Sequence, residues 1–414
     1  MRAPGLAKVN TLAVVLAFMV VMLPTSDADA AGFRIDTIPS LRLEEGFHTN
    51  VYDSDDGEVA SLATRLSPGL AIRLTAPDEV KLQLSGSYER TWYHDSDARD
   101  ADDSTWNLRV ESSGAWKFTP SFAVRPSAYY LRTPDSYRRV QLLPSDDPNV
   151  PPVSITNYGT AETDEFGGGL GFEYTPSPNW AIGINGNYSR QRFPGDNNAG
   201  FGLTDASQYG GGFTVTYAVT PRSKLGVTGS ATHHEYEDNE STNSYYAGIQ
   251  FGYQFTPVLR FDGNVGGSQI RLEDSGGGEE RKDTSPSGSF GLSYVTPDSV
   301  ARFFGSAVYT GSSGYGEATR QWTVGLAFTN RLTIEWSWTF NGAYQKSESV
   351  FTEESVDIDS IYGRAGLQYR PLEWVMVDGY ISLDRQESDG LFGHTINSYS
   401  AVLGLTIGKA VNIY

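Results

Sequence analysis

The 414 residues include no cysteine. That absence removes disulfides, thiolate metal sites, covalent haem attachment and a lipid-bearing N-terminal cysteine. Long apolar runs are missing too. The longest, Leu12 to Leu23, spans about 12 residues, whereas a membrane-crossing helix needs about 20. Cations are scarce, with 31 Lys and Arg against 50 Asp and Glu, so the net charge of −19 leaves no basic footprint for nucleic acid. What the chain has in quantity is glycine (45), tyrosine (24) and phenylalanine (20), with eight tryptophans.

The first thirty residues read as an export signal, predicted to end after Ala30. Arg2 and Lys8 supply the positive start, Leu12 to Leu23 the apolar stretch, and Ala28-Asp29-Ala30 the small-x-small cleavage site. Residues 31–414 are then expected to form one unit.

That unit repeats. Aromatic, glycine-spaced runs alternate apolar with polar residues and are joined by short Pro or Asn turns. The turns are Leu74-Thr75-Ala76-Pro77, Phe118-Thr119-Pro120, Tyr174-Thr175-Pro176, Val219-Thr220-Pro221, Phe255-Thr256-Pro257, Val295-Thr296-Pro297, Phe328-Thr329-Asn330 and Tyr369-Arg370-Pro371. Longer segments rich in Asp, Glu, Ser and Gly lie between them. Tight turns at one end, longer polar loops at the other and an aromatic beside nearly every tight turn mark a transmembrane β-barrel. Eight turns joining pairs of strands, plus one strand at each end, predict an all-β, antiparallel, up-and-down barrel of 18 strands, from 35–52 to 395–409, with both termini periplasmic. Loop 136–160, with Pro144, Pro148, Pro151 and Pro152, cannot be a ladder strand, because proline lacks the N–H. It is expected to enter the lumen or cover a mouth.

Alternation assigns faces. Over the expected strand 332–347, Leu332, Ile334, Trp336, Trp338, Phe340 and Gly342 share one face, and Thr333, Glu335, Ser337, Thr339 and Asn341 the other. Lipid takes the first set, since a charged Glu335 in hydrocarbon is prohibitive. The same logic sends Trp180, Ile182, Ile184, Leu259, Phe261, Val265, Trp322, Val324 and Leu326 outward. It turns Asn185, Asn187, Arg260, Asp262 and Asn264 inward. A soluble antiparallel sandwich would also alternate, but the unbroken repeat and the export signal speak against it. Barrels of about 16–18 strands enclose an aqueous channel, whereas about eight fill with side chains.

Ser40 to Tyr52, with Glu44, Glu45, Phe47, Asn50, Val51 and Tyr52, is followed by a strand carrying Leu66-Ser67-Pro68-Gly69. This pair of segments resembles the first hairpin of the outer-membrane family called putative beta-barrel porin 2, some of whose members accompany exopolysaccharide loci. At His48-Thr49 the chain departs from that pattern. The resemblance implies an outer-membrane pore whose better-understood relatives serve polysaccharide export.

Inward cations gather near the tight turns: Arg73, Lys81, Lys117, Arg125, Lys224, Arg260, Arg302 and Arg370. If those turns are periplasmic, as is usual, they form a basic collar that favours anions. The alternative is pairing with inward carboxylates such as Asp262, Glu335 and Asp378. Trp180, Trp322, Trp336, Trp338 and Trp374 are expected to belong to the lipid-facing girdle. Acidic clusters such as Asp95 to Asp103 and Glu348 to Asp359 occupy the other end, without regular calcium-site spacing, and read as solubilising charge. All five histidines (His48, His94, His233, His234 and His394) fall near that rim. No nucleophile stands out, and neither an enzyme, a cofactor nor a metal site is expected. The aromatic Tyr414 resembles the assembly signal read by the barrel-assembly machinery.

The expected function is therefore an outer-membrane conduit for exopolysaccharide, surrounded by outer-membrane lipids and fed by a periplasmic polysaccharide export protein. Two alternatives stay open: a sheath around a separately encoded multihaem cytochrome, and a general small-solute porin.

Overall fold

A computed structural model describes residues 34–51, 58–75, 81–101, 103–112, 116–133, 163–193, 205–237, 240–274, 281–311, 318–351, 357–389 and 395–412. The expected export signal, loop 136–160, His394 and Tyr414 lie outside the described residues.

Strands follow one another with almost no other structure. They are β1 (Arg34–His48), β2 (Ser61–Thr75), β3 (Lys81–Tyr93), β4 (Asp103–Ser112), β5 (Trp116–Thr119), β6 (Phe122–Thr133), β7 (Thr163–Ser177), β8 (Trp180–Arg192), β9 (Ala206–Thr220) and β10 (Ser223–Tyr236). The second half comprises β11 (Glu240–Thr256), β12 (Leu259–Asp274), β13 (Arg281–Val295), β14 (Ser299–Gly311), β15 (Ala318–Arg331), β16 (Trp336–Ser349), β17 (Asp357–Leu372), β18 (Val375–Asp389), β19 (Thr395–Gly408) and β20 (Val411–Asn412). The expected strand 104–118 is present in two parts, β4 and β5, both paired to β6. β20 continues β19 beyond Lys409 and Ala410 and keeps its register on β1, Thr37 opposite Val411. Counting each such pair once leaves 18 crossings, the number the turns predict.

Every crossing pairs antiparallel with its neighbours in sequence, and β1 closes the ring by pairing with β19 from Ser40↔Gly408 to His48↔Ser400. A closed ring leaves no unpaired edge along most of its length, which is what hydrocarbon demands of a sheet. Large apolar side chains stand exposed on one parity of most strands, among them Ile184, Ile249, Val265 and Leu403. Around the outside of an isolated chain such exposure is the mark of a surface made for lipid. Glycine lets strands cross closely. A Cβ on Gly266 would sit 2.1 Å from the Ala247 carbonyl oxygen, so β11 and β12 meet there only because neither Gly266 nor its partner Gly248 has a side chain.

One expected strand is shorter than the alternation implies. β16 begins at Trp336, and Leu332 to Glu335 form the preceding turn. Thr333 is the cause. Its hydroxyl accepts from the Glu335 and Trp336 amides at 3.2 and 3.0 Å, while the Leu332 and Thr333 amides donate to the Trp336 carbonyl. Glu335 is therefore not on the lumen wall, and Ile334, 94% exposed, projects from the turn rather than along the strand.

Candidate functional site: the lumen and its two mouths

Eighteen strands about 4.8 Å apart and tilted about 40° give a ring roughly 35 Å across between backbones. Its inward face is polar. Tyr246 donates to Asn264 at 2.7 Å, and Asn264 donates in turn to Ser289 at 2.7 Å, linking three strands. Near the seam where the ring closes, Arg42 reaches Asp378 at 2.7 Å and Glu44 at 2.6 Å. Arg65 meets the same Glu44 at 3.0 Å and Glu89 at 3.2 Å. Glu44 and Asp378 are buried beneath these guanidiniums, so the chain of charges staples β18, β1, β2 and β3 from the lumen side. Alternation alone did not reveal this network, but a signal for it exists. Opposite charges two apart share a face of a strand, and Arg34/Asp36, Arg42/Glu44, Arg260/Asp262, Lys346/Glu348 and Arg385/Glu387 all form ion pairs.

The tight-turn mouth holds most of the expected collar, in two states. Arg125 is paired with Glu173 at 2.6 Å and Arg260 with Asp262 at 2.5 Å, so these two are neutralised. Asp378 is held by Arg42. Arg302 lies inward over Gly291. Lys81 is placed by its backbone opposite Thr75; its side chain lies outside what is described. Arg73 donates only to the neutral Gln83 amide, and Arg370 reaches only the Met376 sulfur at 3.9 Å. Lys117 and Lys224 are exposed. Among the described residues, Arg73, Lys117, Lys224 and Arg370 make no ion pair. A further cation, Arg331, ends β15 at the same level. The expected turn Phe328-Thr329-Asn330 is instead part of β15, paired with Phe340, Thr339 and Trp338 of β16; the turn falls at Leu332 to Glu335, and that shift brings Arg331 to the end of the strand at the mouth.

The tryptophans fall at different heights. Trp180 and Trp336 begin strands at the tight-turn end; Trp180 packs tilted against Tyr217 at 4.9 Å, and Trp336 stacks on Tyr369 at 4.4 Å. Trp338 sits against Phe328 at 4.7 Å, one step further along the outward face. Trp374 occupies the turn before β18, exposed. Trp322 lies in the opposite half of its strand, opposite Ala307 and with Arg320 over its ring.

The long-loop mouth is drawn in from two sides. Behind β1 and β3 the chain folds over the rim. Val51 and Ala98 are fully buried and pack on inward-facing Ala63 and Tyr93. Hydrogen bonds hold the fold there, from the Val51 amide to Val59 and from the His94 amide to Leu62. Seven strands away, β14 leaves the wall. Its ladder with β13 stops at Gly288↔Ala307, whereas its ladder with β15 continues to Gly311↔Ala318. Beyond that point β14 touches β11 and β12, and the inward-facing Ile270 of β12 is buried against Tyr309 and Ala318. Arg320 clasps the displaced end, donating to Asp283 at 2.8 Å and to the Tyr309 hydroxyl at 2.9 Å. Arg281 at the tip of β13 reaches over to the Phe351 carbonyl and ring.

The rim histidines do not converge. His94 bonds Thr64 at 2.8 Å, His233 bonds Asn243 at 2.9 Å, and His234 is buried. Among the described residues, no group of three or more His, Asp or Glu could hold a metal.

Residues 63–365 match the family described as "Putative outer membrane beta-barrel porin, MtrB/PioB". No curated protein sequence matches the chain. Among solved structures it is similar to OpdK from Pseudomonas aeruginosa (11% identity, TM-score 0.44), covering 91% of this chain and 99% of that one. It is similar also to OccAB3 of Acinetobacter baumannii (13%, TM-score 0.45), covering 92% of this chain and 100% of that one.

Proposed function

The chain belongs to the putative outer membrane β-barrel porin family MtrB/PioB, and from that premise we propose that it is a passive, anion-preferring conduit that exports an acidic exopolysaccharide. One observation carries this reading. Arg73, Lys117, Lys224 and Arg370 point into the tight-turn mouth and make no ion pair among the described residues, while the cations of the network further up the wall, Arg42 and Arg65, are paired with carboxylates. A ring of unpaired cations lowers the barrier for anions at the mouth where a polymer from the periplasm would arrive. No chemistry on the substrate is involved; the barrel is a channel and not an enzyme. Energy for export comes from the machinery on the periplasmic side, through the partner expected there. The first hairpin resembles barrels that accompany exopolysaccharide loci, a resemblance that points to a polymer conduit without identifying the polymer.

In planar bilayers the purified protein should show an anion-selective reversal potential. Its selectivity should fade toward 1 M salt, where the Debye length is about 3 Å. Replacing Arg73, Lys224 and Arg370 together by Gln should lower that selectivity and reduce surface polysaccharide at unchanged barrel abundance. Cation selectivity of the native protein would sink the collar. Anion selectivity with no effect on polysaccharide would make it a general solute porin. The roughly 35 Å ring favours one further reading, a sheath around a multihaem cytochrome. A stoichiometric haem absorbance co-purifying with a non-conducting barrel would establish that instead.

A further inference from the structure

The outside of the barrel wall is uneven in charge at its long-loop end. An aromatic row crosses four neighbouring strands, β6 to β9, as Tyr130, Phe166, Tyr188 and Tyr209. The Phe166 and Tyr188 rings lie 6.0 Å apart and the Tyr188 and Tyr209 rings 5.0 Å apart. Just beyond this row, on the same outward parity, stand Arg132 of β6 and Arg190 and Arg192 of β8. The arc from β16 to β18 uses its outward cations differently. There Lys346 pairs with Glu348 and Arg385 with Glu387, and Asp357 and Asp359 share the same face.

Height fixes what these arginines meet. The outward parity of β8 begins at Trp180, and Arg190 stands about ten residues on. At about 3.3 Å per residue and a tilt of about 40°, that is a rise of roughly 25 Å. The apolar band of such barrels is about 25 Å tall, so Arg190 lies at the far headgroup level. Arg132 stands equally far from Phe122 on β6. With the tight turns periplasmic, as is usual, this level belongs to the outer leaflet. Among the described residues Arg190 and Arg192 form no ion pair, and the Arg190 Nε is enclosed without a hydrogen-bond partner. The neighbouring carboxylates are engaged elsewhere. Asp164 accepts from the Tyr130 hydroxyl at 3.1 Å and has Arg132 at 3.8 Å, while Asp205 accepts from the Phe193 amide at 2.8 Å. A guanidinium that faces lipid without a partner is costly. Phosphate oxygens at the same height remove that cost through forked, charge-assisted bonds.

We propose that the outward face of β6 to β8 is a binding site for the phosphorylated headgroup of an outer-leaflet glycolipid of the lipid A type. Arg190 and Arg192, two apart on one face of one strand, hold a phosphate group. Arg132 flanks it across Asp164, and the aromatic row beneath packs against the lipid at the interface, where such rings settle. The site belongs to the outside of the wall and stands whatever occupies the lumen.

The test is binding of fluorescent lipid A to the purified full barrel in detergent micelles, followed by anisotropy. The native protein should bind it saturably, and lipid A stripped of its phosphates, or phosphatidylglycerol, at least about tenfold more weakly. Arg190→Gln combined with Arg192→Gln should raise the Kd for lipid A by about tenfold. Lys346→Gln combined with Arg385→Gln, on the other arc, should leave it unchanged. The heat-modifiable band shows which variants have folded, and the native protein's lipid preference decides the matter even if the double variant at β8 does not. Equal binding of the stripped lipid would mean that the apolar belt alone is recognised, and equal binding of phosphatidylglycerol that any anionic lipid serves. Either result would overturn the site, as would displacement of lipid A by equimolar inorganic phosphate or native affinity in a folded β8 double variant.

Discussion

The two mouths of this barrel are finished from the same strands in opposite ways. The tight-turn mouth is bounded by short connections, and among the described residues its Arg73, Lys117, Lys224, Arg331 and Arg370 make no ion pair. The long-loop mouth folds inward, buries apolar side chains such as Val51 and Ile270, and uses its charges on one another, Arg320 on Asp283 foremost. Charge stays available where the chain has no length to cover it. Where the chain has length to spare, it bends over the rim and turns the charges into clasps. Traffic would therefore meet a wide, charged mouth on the side of the tight turns and a narrowed one on the other.

The largest effect should come from the belt between the mouths. Val265, 58% exposed and near the middle of the outward face of β12, should lose about 2–4 kcal/mol of stability as Val265→Arg, seen as loss of the heat-modifiable folded band. Trp338 lies on the same outward parity but only two residues into β16, so Trp338→Arg should cost about 0–1 kcal/mol, as near an interface. Thr339→Arg, facing inward, should be tolerated. Equal losses at Val265 and Trp338 would mean that the belt has been placed at the wrong height.

Loosening the first inward fold comes next. Val51→Ala removes two buried methyl groups, worth about 1–2 kcal/mol at roughly 0.8 kcal/mol each. Limited proteolysis should then cut the rim segment around residues 51–59 while the barrel stays protected. An unchanged cleavage pattern would show that Val51 does not hold the rim.

Smallest in energy, though not in transport, is the second fold. Arg320 and Asp283 are each about one-third exposed, so Asp283→Asn combined with Arg281→Ala should change stability by no more than about 1 kcal/mol. Single-channel conductance should nevertheless rise if the displaced end of β14 narrows the mouth. Unchanged conductance would place the constriction elsewhere.

How much of this was legible varies with the range of the interaction. The period of two fixes faces because successive side chains must point to opposite sides, and an ionised group cannot face hydrocarbon. Ile184 outward and Asn185 inward follow from neighbours alone. The limit of that logic shows at Glu335. Alternation continues through Leu332 and Ile334, yet a threonine hydroxyl capturing two amides stops the strand there. The same displaced turn carries Arg331 to the mouth.

The sequence by itself determined the crossing number, the direction of each strand and which side chains face outward, because turn residues and alternation act over a few neighbours. Only the tertiary structure decided which cations stay free, where β14 leaves the wall and that Asp378 shares Arg42 with Glu44 across the closing seam. Those outcomes depend on which strands lie side by side once the ring has closed, and residues 336 positions apart in the chain, such as Arg42 and Asp378, become bonded neighbours only then.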